Sequence, residues 1–303
     1  MTGAGPRNVA ASVRDRLRTL AHQRGEQLEY LLLRYASERL LYRLAQSQYR
    51  TRFVLKGAML LELWDDVRHR PTRDVDLLSV GDNGPNSVAA VFRDLCAVPV
   101  PDDWLTFDVG SVVAEAIMAP AEYPGVRVRP NAHLTTAIIE LQFDVGFGDA
   151  LTLPTPELPY PTLLGQPSPV LRTYPPETVI AEKFEAVVDL GMLNSRLKDL
   201  YDLWPISNTR TFSGPPLAEA ISATFERRGT PLPSAVPTGL TPAFATAHAA
   251  QWQGFVRRTG LSPVPRSLSE VQSAVACFRD ATASALASGL AFTGVWTPTE
   301  GWH

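Results

Sequence analysis

Cysteine and histidine are too scarce and too scattered in this chain to build a disulfide frame or a zinc centre. The two cysteines, Cys96 and Cys277, have no metal-ligand spacing, which fits a reducing compartment. The five histidines, at positions 22, 69, 133, 248 and 303, form no zinc pattern. No apolar run approaches a membrane span, and the first residues lack the apolar core of a signal peptide. The expected location is therefore the cytoplasm, with no membrane partner. Positive charge is not in excess either: 28 Lys and Arg against 31 Asp and Glu leave a net charge of −3. A nucleic-acid partner would have to be held by a local basic patch. No internal repeat is present.

What is present is an ordinary globular composition, 45% hydrophobic and 19% charged over 303 residues, enough for two domains or one core with a large appendage. Residues 12–49 contain almost no Gly or Pro. Their apolar positions recur at helical spacing (Leu28, Leu31, Leu32, Tyr35, then Leu40, Leu41, Leu44), interleaved with Arg34, Arg39 and Arg43. This predicts two or three helices, the second from about Gln27. Residues 52–64 predict a short strand, a turn at Gly57 and a helix beginning at Ala58; residues 73–80 predict a strand, and 87–97 another helix. Residues 104–118 alternate loosely, and 126–133 and 135–147 read as β segments. Strands adjacent in sequence imply a mixed or largely antiparallel sheet.

Proline is concentrated between Leu153 and Pro176, where eight of the chain's 26 fall, so an extended crossing between lobes is expected there. Beyond it the spacing predicts helices over 177–190, 195–204, 216–228, 243–259 and 267–286. Nothing after Trp204 forms a catalytic constellation.

The chemistry centres on Arg70-Pro-Thr-Arg-Asp-Val-Asp-Leu-Leu78. On a strand, Asp74 and Asp76 project to the same face, roughly 6–7 Å apart. Such a like-charge pair is unfavourable unless a cation bridges it, and a hard divalent ion shared with substrate phosphates is one resolution; a solvated turn is the other. Asp144 is the best candidate for a third acid, sharing a face with Glu140 and Gln142, although that face could equally be the solvated side of a half-exposed sheet. Gly57 would let a backbone approach phosphate closely, with Lys56 adding charge. Arg68, Arg70 and Arg73 flank the carboxylates and could neutralise phosphates, or could pair with Glu62, Asp65 and Asp66. Lys183 lies on a largely apolar helix, where its point charge would suit a β- or γ-phosphate. Arg196, Lys198 and Asp199 form a compact polar cluster that could equally be a structural salt bridge. Phosphorylation of Thr72 would place negative charge near the acids and hinder nucleotide binding, but a threonine so placed also satisfies a turn.

Taken in order, Val54-Leu-Lys-Gly-Ala-Met-Leu60, the Asp74/Asp76 segment, Asp144-Val-Gly-Phe-Gly-Asp149, Ala181-Glu-Lys-Phe-Glu185 and Asn194-Ser-Arg-Leu-Lys-Asp-Leu-Tyr-Asp202 resemble the AbiEii/MenT nucleotidyltransferase toxins of the DNA polymerase β-like superfamily. The resemblance covers about residues 10–205. It implies an α+β, bilobed protein: a nucleotidyltransferase domain over 1–160, with a helical lead-in and a mixed sheet, and a mainly helical domain over 161–303 completing the active-site cleft. It implies transfer of NMP from NTP with Mg²⁺, or Mn²⁺ in its place. Gly57 takes the phosphate-loop role, with Lys56, Ala58, Arg73, Arg196 and Lys198 as further nucleotide contacts. Asp74, Asp76 and Asp144 are the implied metal ligands, Lys183 the triphosphate contact, and Asp199 its motif neighbour. The superfamily usually has Gly-Ser or Gly-Gly where this chain has Gly57-Ala58, so position 58 can offer only its backbone N–H.

The implied acceptor is the 3′ end of tRNA, whose modification would block translation, and the implied partner is a cognate antitoxin; a monomer is favoured. Two alternatives stay open, a nucleotidyltransferase acting on protein or a small molecule and a non-catalytic NTP-binding protein.

Overall fold

The computed structural model describes residues 9–64, 69–117, 125–260, 265 and 267–303. Its architecture is α+β, and its contacts divide the chain into two compact units. Unit 1 comprises residues 1–63, 71–148 and 156–173; unit 2 comprises 64–70, 149–155 and 174–303.

Unit 1 opens with α1 (Val9–Arg24) and α2 (Leu28–Ala45), as the spacing predicts. Strand β1 (Phe53–Lys56) runs into a 3₁₀ turn over Gly57–Leu60, followed by α3 (Leu61–Trp64). Then come β2 (Asp74–Ser79), α4 (Pro85–Ala97), β3 (Thr106–Ile117), β4 (Gly125–Leu134), β5 (Ala137–Glu140) and β6 (Gln142–Phe147). The sheet order is β1-β2-β6-β4-β3, with β2 and β6 parallel and the other pairs antiparallel. The mixed sheet expected from the sequence is thus present.

The single β segment expected over 135–147 is divided at Leu141. One register nevertheless carries through, from Asn131↔Glu140 to Val128↔Phe143. The break falls opposite Pro130, which has no N–H to give the ladder; only the Leu141 N–H to Pro130 carbonyl bond (3.0 Å) remains there.

Burial on β4 alternates residue by residue, the mark of a sheet with one apolar and one polar face. The apolar face carries Val75, Leu77, Val126, Val128, Phe143 and Val145, all buried. Helix α4 packs on it: the Phe92 ring meets Phe143 edge-on at 5.1 Å and Phe53 at 6.3 Å. On α2, Arg39 and Arg43 are buried rather than solvent-facing, because both meet the buried Asp103 carboxylate, Arg43 in a fork at 2.5 and 3.2 Å and Arg39 at 3.5 Å. The proline-rich stretch, expected as a bare extended crossing, carries a hairpin of β7 (Glu157–Pro159) and β8 (Val170–Arg172).

Unit 2 contains α5 (Pro176–Leu190), α6 (Leu197–Thr209), β9 (Phe212–Ser213), α7 (Gly214–Arg228), α8 (Pro242–Ala247), α9 (Ala249–Thr259), α10 (Leu268–Ala287), β10 (Val295–Thr297) and β11 (Gly301–Trp302). Helix α6 runs on through Pro205 instead of stopping before it, since proline's fixed φ is itself helical and Leu203, Ile206 and Ser207 bury the same helix. The helix expected over 243–259 breaks at His248, whose φ of −103° and ψ of 9° leave the helical basin. Strands β9–β11 form a small sheet that was not anticipated; Trp296 anchors it, its indole N–H donating to the Ser207 carbonyl at 2.8 Å. Among the described residues, no helix is long and apolar enough to cross a membrane.

Candidate active site

In unit 1, strand register builds a row of charge across the polar face of the sheet. Lys56 lies opposite Asp76, Asp76 opposite Asp144, Asp144 opposite Arg127, and Arg127 opposite Glu115. Directly opposed residues share a face, so these five side chains line one side of the sheet. One row along, Asp74 lies opposite Gln142. Asp74, Asp76 and Asp144 are all half-buried. The same-face reading of Asp74 with Asp76, and of Gln142 with Asp144, therefore matches the geometry.

Asp144 is not left to itself. Arg127 donates to its two oxygens in a fork, Nε to Oδ1 and Nη2 to Oδ2, both at 2.8 Å. That carboxylate raises the Arg127 pKa above its ordinary value, mainly by the hydrogen bond itself. The Gln142 amide donates to Oδ2 at 3.4 Å. Arg129 pairs with Glu115 at 2.7 Å. The order of the strands is what brings both arginines to the acid-bearing face.

Gly57 sits against Asp76. Its φ is +75°, in the left-handed region, and a Cβ there would lie 2.8 Å from Asp76 Cγ and 2.9 Å from its Cβ. Only glycine fits this close approach. Ala58 is buried, so its side chain packs inward. The helix expected from Ala58 opens instead as a 3₁₀ turn over Gly57–Leu60, with α-helix beginning at Leu61. Arg73 is exposed beside Asp74 and has no ion-pair partner among the described residues. The Thr72 hydroxyl donates to the Asp74 carbonyl at 3.3 Å. Arg68, Asp65 and Asp66 lie outside the described residues.

Unit 2 holds a buried ionic network. Lys183 Nζ donates to Asp199 Oδ1 at 3.0 Å and to Asp202 Oδ2 at 2.7 Å. Arg70 closes a fork on Asp202 at 2.7 and 2.8 Å. Arg70 therefore neutralises Asp202. Burial alone would push the Asp202 carboxyl up; Arg70 and Lys183 outweigh it and hold the group at about 2. Burial would likewise discharge Lys183, but Asp202 and Asp199 raise its pKa above the ordinary value. Asp199 also meets Arg196 Nε at 2.7 Å and stays below the usual carboxylate range, its burial offset by Lys183 and Arg196. Arg196, although paired with Asp199, and Lys198 are both exposed. Asp202 is the member that sequence reasoning did not single out. The signal was its i,i+3 spacing from Asp199, which puts both acids on one helix face.

Among the described residues, no three His, Cys, Asp or Glu side chains gather closely enough to cage a metal ion. The donor set does fit magnesium in another way. Mg²⁺ is commonly held by one or two carboxylates plus substrate phosphates and water, and Asp74 with Asp76 offers two hard, half-exposed carboxylates. Both oxygens of Asp144 are engaged by Arg127.

Among solved structures, the chain is similar to JHP933 from Helicobacter pylori, 14% identical, with a TM-score of 0.48 over 87% of this chain and 94% of that one. A second structure, of an H. pylori protein described as a candidate nucleotidyltransferase, is also 14% identical, with a TM-score of 0.46 over 87% of this chain and 97% of that one. No curated protein matches the chain. The family described as nucleotidyl transferase AbiEii toxin, of a type IV toxin–antitoxin system, matches residues 39–276, and the chain belongs to that family.

Proposed function

We propose that this protein is a magnesium-dependent, cytoplasmic toxin that transfers a nucleoside monophosphate from an NTP to the 3′ end of tRNA and so blocks translation. Membership of a toxin–antitoxin family implies a cognate antitoxin. The observation that carries the reading is the Asp74/Asp76 pair, half-buried on one sheet face with Gly57 closed against it.

Asp74 and Asp76 would hold the magnesium ion, with manganese as its substitute. When bound, it neutralises charge on the phosphoryl oxygens of the NTP. Gly57 brings backbone close to Asp76, and Lys56, opposite Asp76, supplies a cation for the phosphates. Asp144 takes the proton of the acceptor hydroxyl, with Arg127 fixing the direction of both its oxygens, as a base is oriented by a third group. The hydroxyl oxygen bonds to the α-phosphorus while the bond to pyrophosphate breaks. The proton ends on an Asp144 oxygen and pyrophosphate leaves. Within unit 2, Lys183 is kept charged by its two carboxylate partners.

Incubating the protein with total tRNA and each of four labelled NTPs tests the reading. Label entering tRNA with one NTP supports it. Label entering protein, or no label in tRNA with any NTP, overturns the choice of acceptor.

A further inference from the structure

A groove of about 500 Å³ opens beside Asp74 within unit 1. Tyr30, at the start of α2, and Ile138, on β5, form its apolar wall; Arg73 and Arg129 line it with cations, and Glu140 and Gln142 with hydrogen-bonding groups. Among the described residues, β1 lines none of it. Ile138 is 68% exposed, a large aliphatic side chain left open at the groove's rim.

We propose that this groove seats the terminal nucleotide of the RNA acceptor. This rests on the nucleotidyl-transfer reading and adds the place where the acceptor lies. The strand order β1-β2-β6-β4-β3 puts the acids between two sides. Gly57 and Lys56, the NTP side, belong to β1 and the turn that follows it. The groove draws on β4, β5, β6 and the head of β2. An in-line displacement needs its two reactants on opposite sides of the reacting phosphorus, and this groove lies on the side away from β1.

The lining matches a single-stranded nucleotide. Such sites combine cations along the backbone with flat or apolar side chains under the base. Arg73 and Arg129 meet the phosphate, and Tyr30 with Ile138 meets the base face. A carboxylate at Glu140 accepts hydrogen bonds, so it favours a base with an exocyclic amino group, cytosine, adenine or guanine, over uracil, which has none.

Fluorescence anisotropy with short single-stranded RNAs, labelled at the 5′ end and free at the 3′ hydroxyl, tests this without requiring catalysis. Arg73→Gln and Ile138→Asp should each weaken binding by at least about fivefold. Wild-type protein should favour RNA ending in cytidine or adenosine over uridine, and Glu140→Ala should level that preference. Calorimetry with a non-hydrolysable NTP and Mg²⁺ should give the same affinity for wild type and Ile138→Asp. RNA binding equal in all variants, absent in wild type, or without base preference overturns the proposal, as does an Ile138→Asp loss confined to the NTP. Labelling of tRNA by wild type reports separately on the transfer reading.

Discussion

Arg127 and Asp144 face each other across β4 and β6, with both carboxylate oxygens held by one guanidinium at 2.8 Å. Asp144 also lies directly opposite Asp76. The arginine thus separates the fate of two acids that register alone would make a repelling pair.

Arg127→Ala should remove that compensation. The pair is partly exposed, 31% and 19%, so the stability loss should be no more than about 1 kcal/mol after allowing for solvent screening. The transfer rate should fall about tenfold because Asp144 loses its fixed direction. Arg127→Lys should restore most of the stability but not the rate, since an ammonium cannot make the fork. Thermal melts and kcat for NTP transfer check both.

Gly57→Ala should displace Asp76. Gly81 supplies the control, because its φ of +96° is also left-handed while nothing lies within 4 Å of where its Cβ would be. Both substitutions carry the backbone cost of roughly 1–2 kcal/mol. Only Gly57→Ala should also lower the transfer rate, because only there does the methyl group run into the carboxylate. Equal rates in the two variants would dismiss the close approach as functionally idle.

Asp202 makes the stability of unit 2 depend on acid. Its folded pKa, about 2, lies below the ordinary 3.8. The unfolded chain therefore takes up the proton first as pH falls, and the stabilisation is complete above about 4 and gone below about 2. The linkage amounts to about 2 kcal/mol. Melting curves between pH 5 and 2 should show this loss in wild type and a flatter profile in Asp202→Asn. At pH 7, Asp202→Ala should cost roughly 3–5 kcal/mol, because it leaves Arg70 and Lys183 buried with one acid between them.

Glu38 works in the opposite direction. Burial pushes its carboxyl up to about 8, against the Leu163 N–H that donates to both oxygens at 3.1 and 3.3 Å and the nearby Arg34 and Arg39. The unfolded chain loses this proton near 4.5 and the folded chain near 8, so stability falls as pH rises through that window. Glu38→Gln keeps a carbonyl oxygen for Leu163 and cannot ionise. It should melt above wild type at pH 8 and close to it at pH 5.

Local pattern carried much of this protein and long-range pairing did not. The i,i+2 spacing of Asp74 and Asp76 puts them on one face of any strand, and Gly57 follows a short apolar run that could end only in a turn. Arg127 meets Asp144 solely because β6 lies between β2 and β4, an order that no local pattern encodes. Arg39 and Arg43 read as polar interruptions of a helix because Asp103, which buries them, lies some sixty residues away in the chain. Pro205 and His248 misled in opposite senses: one was taken to end a helix that tertiary burial carries through, and the other breaks a helix whose composition has no breaker.

The central claim is that Asp74 and Asp76 form the metal-binding centre of NTP-to-tRNA transfer. The most direct measurement is incorporation of labelled nucleotide into tRNA by wild type and Asp76→Asn, with Mg²⁺ or with excess EDTA, beside melting curves for both proteins. The account predicts label with wild type and Mg²⁺, at least about a hundredfold less with Asp76→Asn or EDTA, and nearly unchanged melting. Incorporation by Asp76→Asn at the wild-type rate, or incorporation indifferent to EDTA, would contradict it.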